Sequence, residues 1–268
     1  MVRIGSAFSG IGGFELGLER AIPNSKTVWQ IEQNAFCQKI LRKHWPDAKI
    51  YDDVREVGAH NLEPVDIFCA GFPCQDISVA GKGEGLNGKK SGLWWECFRI
   101  ISELRFPIIV LENVSAISFR GGREVVGSLA SIGYDTEWQV ISARMFGAPH
   151  IRKRWFAVSY ASDTNSKSQP DRSHHAKTLE GDVANTISER TQIQTEGKQS
   201  SISLSGSNGT KNSYNYWREN VPESPVCRVD DGVPNRMDRL RALGNAIVPQ
   251  CSEYIGRCIV ESGLLKIR

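Results

Sequence analysis

The chain has 268 residues and a mass of 29.8 kDa, enough to bury a substantial core as one large domain or as a domain with an appendage. Its 33 Lys and Arg nearly cancel its 30 Asp and Glu, so a net charge of +3 exerts no global pull on a polyanion and any basic surface must be local. No apolar run reaches the ~18 residues that a bilayer span needs. Seven cysteines without a CxxC spacing or a secretory leader point to reduced thiols, a cytoplasmic setting and no metal site.

In chain order, Arg3-Ile4-Gly5-Ser6-Ala7-Phe8 reads as a first strand. Ser9-Gly10-Ile11-Gly12-Gly13 follows, then a helical pattern in Phe14, Leu16, Leu18 and Ala21 that Pro23 ends. Such a turn lets backbone pass close to a ligand and offers helix N–H groups to it, but it also serves as a plain strand-to-helix corner. The next strand, at 27–31, delivers Glu32 about twenty residues after the glycines, placed to accept hydrogen bonds from ribose hydroxyls. A pyrophosphate would want a further glycine where the bulky Phe14 stands. S-adenosylmethionine, with ribose, adenine and an amino acid but no phosphate, suits the crevice at least as well.

A helix over 34–45 is predicted with Ala35, Phe36, Ile40 and Leu41 as its apolar face, and Pro46 stops it. Ile50-Tyr51-Asp52-Asp53-Val54 then brings Asp53 to another strand end, where it can accept an adenine amino group. The strand Val65-Asp66-Ile67-Phe68-Cys69-Ala70 stops at Gly71-Phe72-Pro73-Cys74-Gln75, so that one thiol stands at a strand's carboxyl end, where open α/β sheets hold their ligands. Residues 76–92 are rich in glycine and lysine, including Lys82, Lys89 and Lys90, and read as a loop that closes over substrate. A helix with Leu93, Trp94, Phe98, Ile101 and Leu104 follows.

Phe106-Pro107-Ile108-Ile109-Val110-Leu111 is nearly continuous in apolar residues, as in a strand buried on both faces. It leads to Glu112-Asn113-Val114. An acid at the end of a buried strand needs a partner, because leaving it unpaired in a desolvated place is costly. Residues 134–158 are strand-like around Phe146-Gly147-Ala148-Pro149 and present His150-Ile151-Arg152-Lys153-Arg154. In extended chain Arg152 and Arg154 share a face, where they can hold a base carbonyl, orient Glu112 or take phosphates.

Taken together, Phe8-Ser9-Gly10-Ile11-Gly12-Gly13, Glu32, Asp53, Gly71-Phe72-Pro73-Cys74-Gln75, Glu112-Asn113-Val114, Arg152-Lys153-Arg154 and Leu243-Gly244-Asn245-Ala246-Ile247-Val248-Pro249 resemble, in order, the motifs of the cytosine-C5 DNA methyltransferases of bacteria and phages. One position departs from the family pattern, His150 standing where Gln is usual. The resemblance implies an α/β, Rossmann-like S-adenosylmethionine-dependent methyltransferase fold with a small, irregular target-recognition region. It implies Cys74, Glu112, Arg152 and Arg154 as catalytic residues. The cofactor would be bound by Phe8, Ser9, Gly10, Ile11, Gly12, Gly13, Glu32, Asp53, Val54, Pro73, Leu93, Asn245 and Ala246, and would leave as S-adenosyl-L-homocysteine. It further implies a monomer acting on double-stranded DNA in a modification role, with no membrane partner. A tRNA-directed branch of the same chemistry and a non-catalytic DNA-binding regulator are the alternatives.

The implied organisation is a cofactor and catalytic domain at 1–160, a target-recognition region at 161–233, and a hinge with a returning helix at 234–268. Between 162 and 213 only six large aliphatic residues occur and no aromatic, too few for an independent core. Residues 161–231 carry eight Lys and Arg against ten Asp and Glu. That balance makes no basic clamp; the resemblance implies that its polar side chains read bases, with phosphate contacts expected elsewhere, at Lys82, Lys89, Lys90 and Arg152 to Arg154. After Arg236, Arg239 and Arg241, read as hinge and phosphate contact, an amphipathic helix is predicted from about Ile247 to Ser262.

Overall fold

Strands and helices alternate as β1 (Val2–Ala7), α1 (Gly13–Ala21), β2 (Ser25–Ile31), α2 (Ala35–His44), β3 (Lys49–Tyr51), β4 (Ile67–Ala70), α3 (Gly92–Leu104), β5 (Ile108–Val114), α4 (Gly122–Ser131), β6 (Tyr134–Ser142) and β7 (Lys153–Ala161). Two helices complete the chain, α5 (Arg236–Asn245) and α6 (Pro249–Glu261). The computed structural model describes residues 1–73, 92–161 and 236–265, all within one compact unit. Cys74, Gln75, the lysines of the glycine-rich stretch and the whole of 162–213 lie outside the described residues.

The strands form one sheet in the order β3-β2-β1-β4-β5-β7-β6. Neighbours from β3 through β5 are parallel, and β7 runs antiparallel to both β5 and β6. Crossover helices cover both faces, which is why β4 and β5 read as unbroken apolar runs. Side chains alternate between two cores. Ile67, Cys69, Ile108, Val110 and Phe156 meet α1 and α6 on one face, whereas Phe68, Ala70, Ile109, Leu111, Trp155 and Ala157 meet α3 and α4 on the other.

α6 returns to the first helix across a seam of small residues. A Cβ on Gly13 would stand 2.2 Å from the Ile247 carbonyl oxygen, one on Gly17 would stand 2.0 Å from Ser252 Oγ, and one on Gly256 would stand 2.7 Å from Ala21 Cβ. Ser252, fully buried, donates to the Gly13 carbonyl at 3.0 Å. This is close backbone packing that only glycine permits.

Two sequence expectations are corrected here. The buried face of α2 is Cys37, Gln38 and Leu41, while Ala35 is exposed. Gln38 turns inward because its amide donates to the Glu32 carbonyl at 2.6 Å and to Asp52 at 2.7 Å, so a polar residue occupies what apolar periodicity assigns to the core. At the other end, Gly244 and Asn245 belong to the last turn of α5, and α6 starts at Pro249, where proline's missing N–H costs nothing.

The seam generates a paired test. Gly17→Ala should lower stability by about 1–3 kcal/mol through overpacking. Gly127→Ala, on α4 with nothing within 4 Å of the added carbon, should be neutral or stabilising by up to about 1 kcal/mol. Thermal unfolding of both variants checks the contrast, and equal effects would contradict it.

Candidate active site

Alternation along the strands fixes which side chains can meet at the sheet's carboxyl edge. Glu112 continues the series Ile108, Val110 onto the α1/α6 face, and Arg154 continues Phe156, Val158 onto the same face. In the antiparallel register Glu112 opposes Phe156 and Val114 opposes Arg154, so Arg154 is the diagonal neighbour of the carboxylate, within reach of a long side chain. The contact is made: Arg154 Nε lies 3.0 Å from Glu112 Oε1. Burial pushes the Glu112 carboxyl up to about 7, outweighing the opposite pull of Arg154 and Arg152.

Asn113, of opposite parity, serves the other face. Its amide donates to the Phe72 carbonyl at 3.0 Å and so pins the chain immediately before Pro73 and Cys74. Gly71 is small because Glu112 is there: a Cβ would stand 3.3 Å from Oε2. Thus the residues just before Cys74 are tied to the strand that carries Glu112.

These groups open onto a cleft of about 600 Å³ that also reaches the glycine turn. Phe8, Gly10, Glu32, Asp53, Val54, Pro73, Leu93 and Asn245 line it together with Glu112, Arg152 and Arg154. Phe8 sits at φ 55°, a left-handed conformation that bulky residues rarely hold, at the point where β1 must turn. Glu32 is fixed by two backbone donors, Gly10 N–H to Oε2 at 2.8 Å and Asn34 N–H to Oε1 at 2.7 Å, which leaves each oxygen a free lone pair. Asp53 caps the short turn Val54–Glu56 and is forked by Arg55, with Nε at 2.9 Å and Nη2 at 2.5 Å. That contact holds the Asp53 carboxyl below its usual range.

Ser9, Ile11, Gly12, Gly13 and Ala246 are not brought to the cleft wall. Ser9 is buried and donates to Ser6 Oγ at 2.9 Å. Gly12, at φ 85°, makes room for Trp45, and Gly13 for Ile247. Of the turn's three glycines, Gly10 alone has open space where a side chain would be. Gly12 and Gly13 thus each leave room for close packing within the protein.

Three cleft residues on α5, Asp238, Arg241 and Ala242, were not foreseen as site residues. The three arginines at 236–241 had signalled only a hinge and phosphates. Arg152 also departs from expectation. Its Nη1 donates to the Gly244 carbonyl at 2.9 Å and its Nη2 to the Ala246 carbonyl at 2.8 Å.

Beneath the turn lies a buried polar cluster. Gln30 donates to Glu15 Oε1 at 3.1 Å, while Glu15 Oε2 and Gln30 Oε1 are buried with no partner within hydrogen-bond distance among the described residues. Ser6 and Ser9 lie close enough to temper the Glu15 carboxyl. Burial raises the Glu15 carboxyl above its ordinary 4.5. A protonated Glu15 has a donor to offer where Gln30 has an unfilled acceptor.

The fold is that of the Rossmann-like S-adenosylmethionine-dependent methyltransferases, with an acid and an arginine converging beside the crevice. A family model described as C-5 cytosine-specific DNA methylase matches residues 2–228, and the chain belongs to that family. Members of this family take their methyl group from S-adenosylmethionine. The chain is 35% identical over 161 residues to the type II methyltransferase M2.BsuMI of Bacillus subtilis, covering 57% of this chain and 40% of that protein. It is 36% identical over 158 residues to M.CviJI of Paramecium bursaria Chlorella virus IL3A, 58% of this chain and 42% of that one. It is 30% identical over 162 residues to M.HhaI of Haemophilus parahaemolyticus, 59% and 49%. The matched part thus amounts to half or less of these relatives' length. Among solved structures, the S. pombe Dnmt2 methyltransferase aligns with a TM-score of 0.61 over 98% of this chain and 99% of that one, at 16% identity, a likeness of fold.

The buried cluster yields a pH test. A raised Glu15 pKa means that the folded state binds more protons than the unfolded one, so stability is full below the ordinary value of 4.5 and is lost as pH climbs above it. Glu15→Gln, which cannot ionise, should be more stable than the parent at pH 7.5, with the gap shrinking at pH 5. A gap independent of pH in thermal unfolding would contradict this.

Proposed function

We propose that this chain is a DNA cytosine-C5 methyltransferase that acts on a cytosine swung out of the duplex. The observation that carries the reading is the Glu112–Arg154 pair opening onto the same cleft as Glu32 and Gly10, with the chain leading to Cys74 anchored to it through Asn113.

The donor set of the cleft fits S-adenosylmethionine. At the Gly10 end it carries Glu32, Asp52 and Asp53, which suit hydroxyl and amino donors and would repel a pyrophosphate. Glu32 would hold the ribose hydroxyls and Asp53 the adenine amino group, with Phe8, Val54, Pro73 and Leu93 supplying apolar contact and Asn245 the amino-acid end. When bound, the cofactor supplies an electrophilic methyl group on a sulfonium.

Cytosine C5 is a weak nucleophile. Addition of the Cys74 thiolate to C6 forms a C–S bond and pushes the electron pair of the 5,6 double bond toward C5. Glu112, protonated, donates to N3 and neutralises the charge that develops there, while Arg154 binds O2. Once C5 has taken the methyl group, the S–CH3 electron pair staying on sulfur as S-adenosylhomocysteine, a base removes the C5 proton, the double bond re-forms and the thiolate leaves. A free thiol with a pKa of ~8.5 is only a few per cent ionised at neutral pH, so the chemistry asks for positive potential at the thiol, for which Arg154 and loop N–H groups are the candidates. Extruding the base costs a few kcal/mol, which contacts from 76–92 and 161–233 would offset.

On this reading residues 1–160 bind cofactor and base, 161–233 read the DNA, and 234–268 form the hinge and returning helix. The return of α6 onto α1 supports the last piece. The relatives named as type II methyltransferases support a modification role, exercised by a monomer in a bacterial cell or phage-infected cytoplasm.

Transfer of labelled methyl from S-adenosylmethionine to duplex DNA, with tRNA as the competitor substrate, tests the reading; preference for tRNA would overturn it. Cys74→Ser should abolish transfer and trapping on 5-fluorocytosine DNA while leaving S-adenosylhomocysteine binding intact. Because Glu112 acts protonated and titrates at about 7, the trapping rate should turn down as pH rises through that value. Glu112→Gln should remove this alkaline limb, and persistence of the limb would assign it to another group.

A further inference from the structure

The two arginines of the His150-Ile151-Arg152-Lys153-Arg154 segment divide their labour. Arg154 holds Glu112. Arg152, two residues earlier, bonds no carboxylate among the described residues and instead grips two backbone carbonyls 92 and 94 positions away, those of Gly244 and Ala246. These two carbonyls flank Asn245, which lines the cleft at the end of α5.

The end of a helix leaves carbonyls without intrahelical partners, and a cation there also meets the negative end of the helix dipole. The last turn of α5 contains no basic residue of its own. Arg152 supplies the charge from the neighbouring strand, with its own backbone fixed because its carbonyl accepts from Ala143 N–H at 3.0 Å. The far side of the same corner is wedged against α1, where Gly13 leaves only enough room for the Ile247 carbonyl. Residues 244–247 are therefore held between the glycine turn on one side and the start of β7 on the other. The guanidinium is half-buried, with Nε buried and without a partner among the described residues.

We propose that Arg152 is a positioning residue: by forking the Gly244 and Ala246 carbonyls it sets Asn245 against the cofactor and couples the cofactor end of the cleft to the Arg154–Glu112 pair. This rests on the proposed function for the identity of the ligand. It gives Arg152 a task other than the base carbonyl, carboxylate or phosphate contacts expected from sequence. A lysine offers a point charge and cannot span two carbonyls in a plane, so Arg152→Lys isolates the fork from the charge.

The test measures the binding of S-adenosylhomocysteine to the full chain by calorimetry. It also measures steady-state methylation of duplex DNA across a range of salt concentrations, for the parent, Arg152→Lys and Asn245→Ala. Arg152→Lys should weaken S-adenosylhomocysteine binding about tenfold and lower kcat, while KM for DNA and its salt slope hold. Asn245→Ala should add little to it in the double variant, because both changes break one contact. Unchanged cofactor affinity, with a raised KM for DNA and a salt slope reduced by about one, would make Arg152 a phosphate contact and overturn the proposal. Failure of the unsubstituted chain to bind S-adenosylhomocysteine would instead overturn the proposed function, and this inference with it. Circular dichroism confirms that the lysine variant is folded; a lysine variant that unfolds would show a purely structural role and count against the proposal.

Discussion

The arrangement depends on one carboxylate taken out of water. Glu112 stands on the interior strand β5, where apolar residues on both faces have already excluded solvent. An ionised carboxylate there is expensive, and two outcomes relieve the cost: a cationic partner or a proton. The structure uses both. Arg154 approaches to 3.0 Å, yet desolvation still brings the carboxyl up to about 7. A group poised between acid and conjugate base at neutral pH can donate to a ring nitrogen and later give up or regain that proton, as the proposed chemistry asks. Much around it accommodates this residue, from the missing side chain at Gly71 to the reversal of β7, which brings Arg154 past it.

The second constraint is that the cofactor end and the base end of the cleft belong to distant parts of the chain. The glycine turn comes from the first fifteen residues, Glu112 and Arg154 from the middle, and Asn245 from near the end. What brings the last of these home is the glycine seam between α1 and α6, closed by Ser252, and the Arg152 fork above it. Strand alternation places the pair, and helix packing places the corner beside it.

Much of this was legible from residue order. Strand ends beside Glu32 and at Ala70 followed from apolar runs broken by an acid or by glycine, because a parallel sheet buries its strands completely and delivers their carboxyl ends to one edge. β5 instead runs two residues past Glu112 to Val114, because Glu112, Asn113 and Val114 still pair with β7. The shared face of Arg152 and Arg154 followed from the period of two. What escaped was set by tertiary contact. Gln38 displaced Ala35 from the inner face of α2 through two hydrogen bonds to distant partners. Gly12 and Gly13 looked like ligand contacts and turned out to accommodate Trp45 and Ile247, since a glycine gives the same signal whichever neighbour comes close. No local pattern could reveal that Arg152 reaches across more than ninety residues, or that Asp238 and Arg241 form a cleft wall.

A direct titration of the Glu112 carboxyl, by carbon-13 resonance or by infrared difference against Glu112→Gln, bears on the central claim more closely than any rate. A midpoint near pH 7, moving higher when Arg154 is replaced by Gln, is what the buried pair requires. A midpoint at or below the ordinary carboxylate value of 4.5 would mean that the charge is well solvated and that the carboxyl is no proton donor at neutral pH.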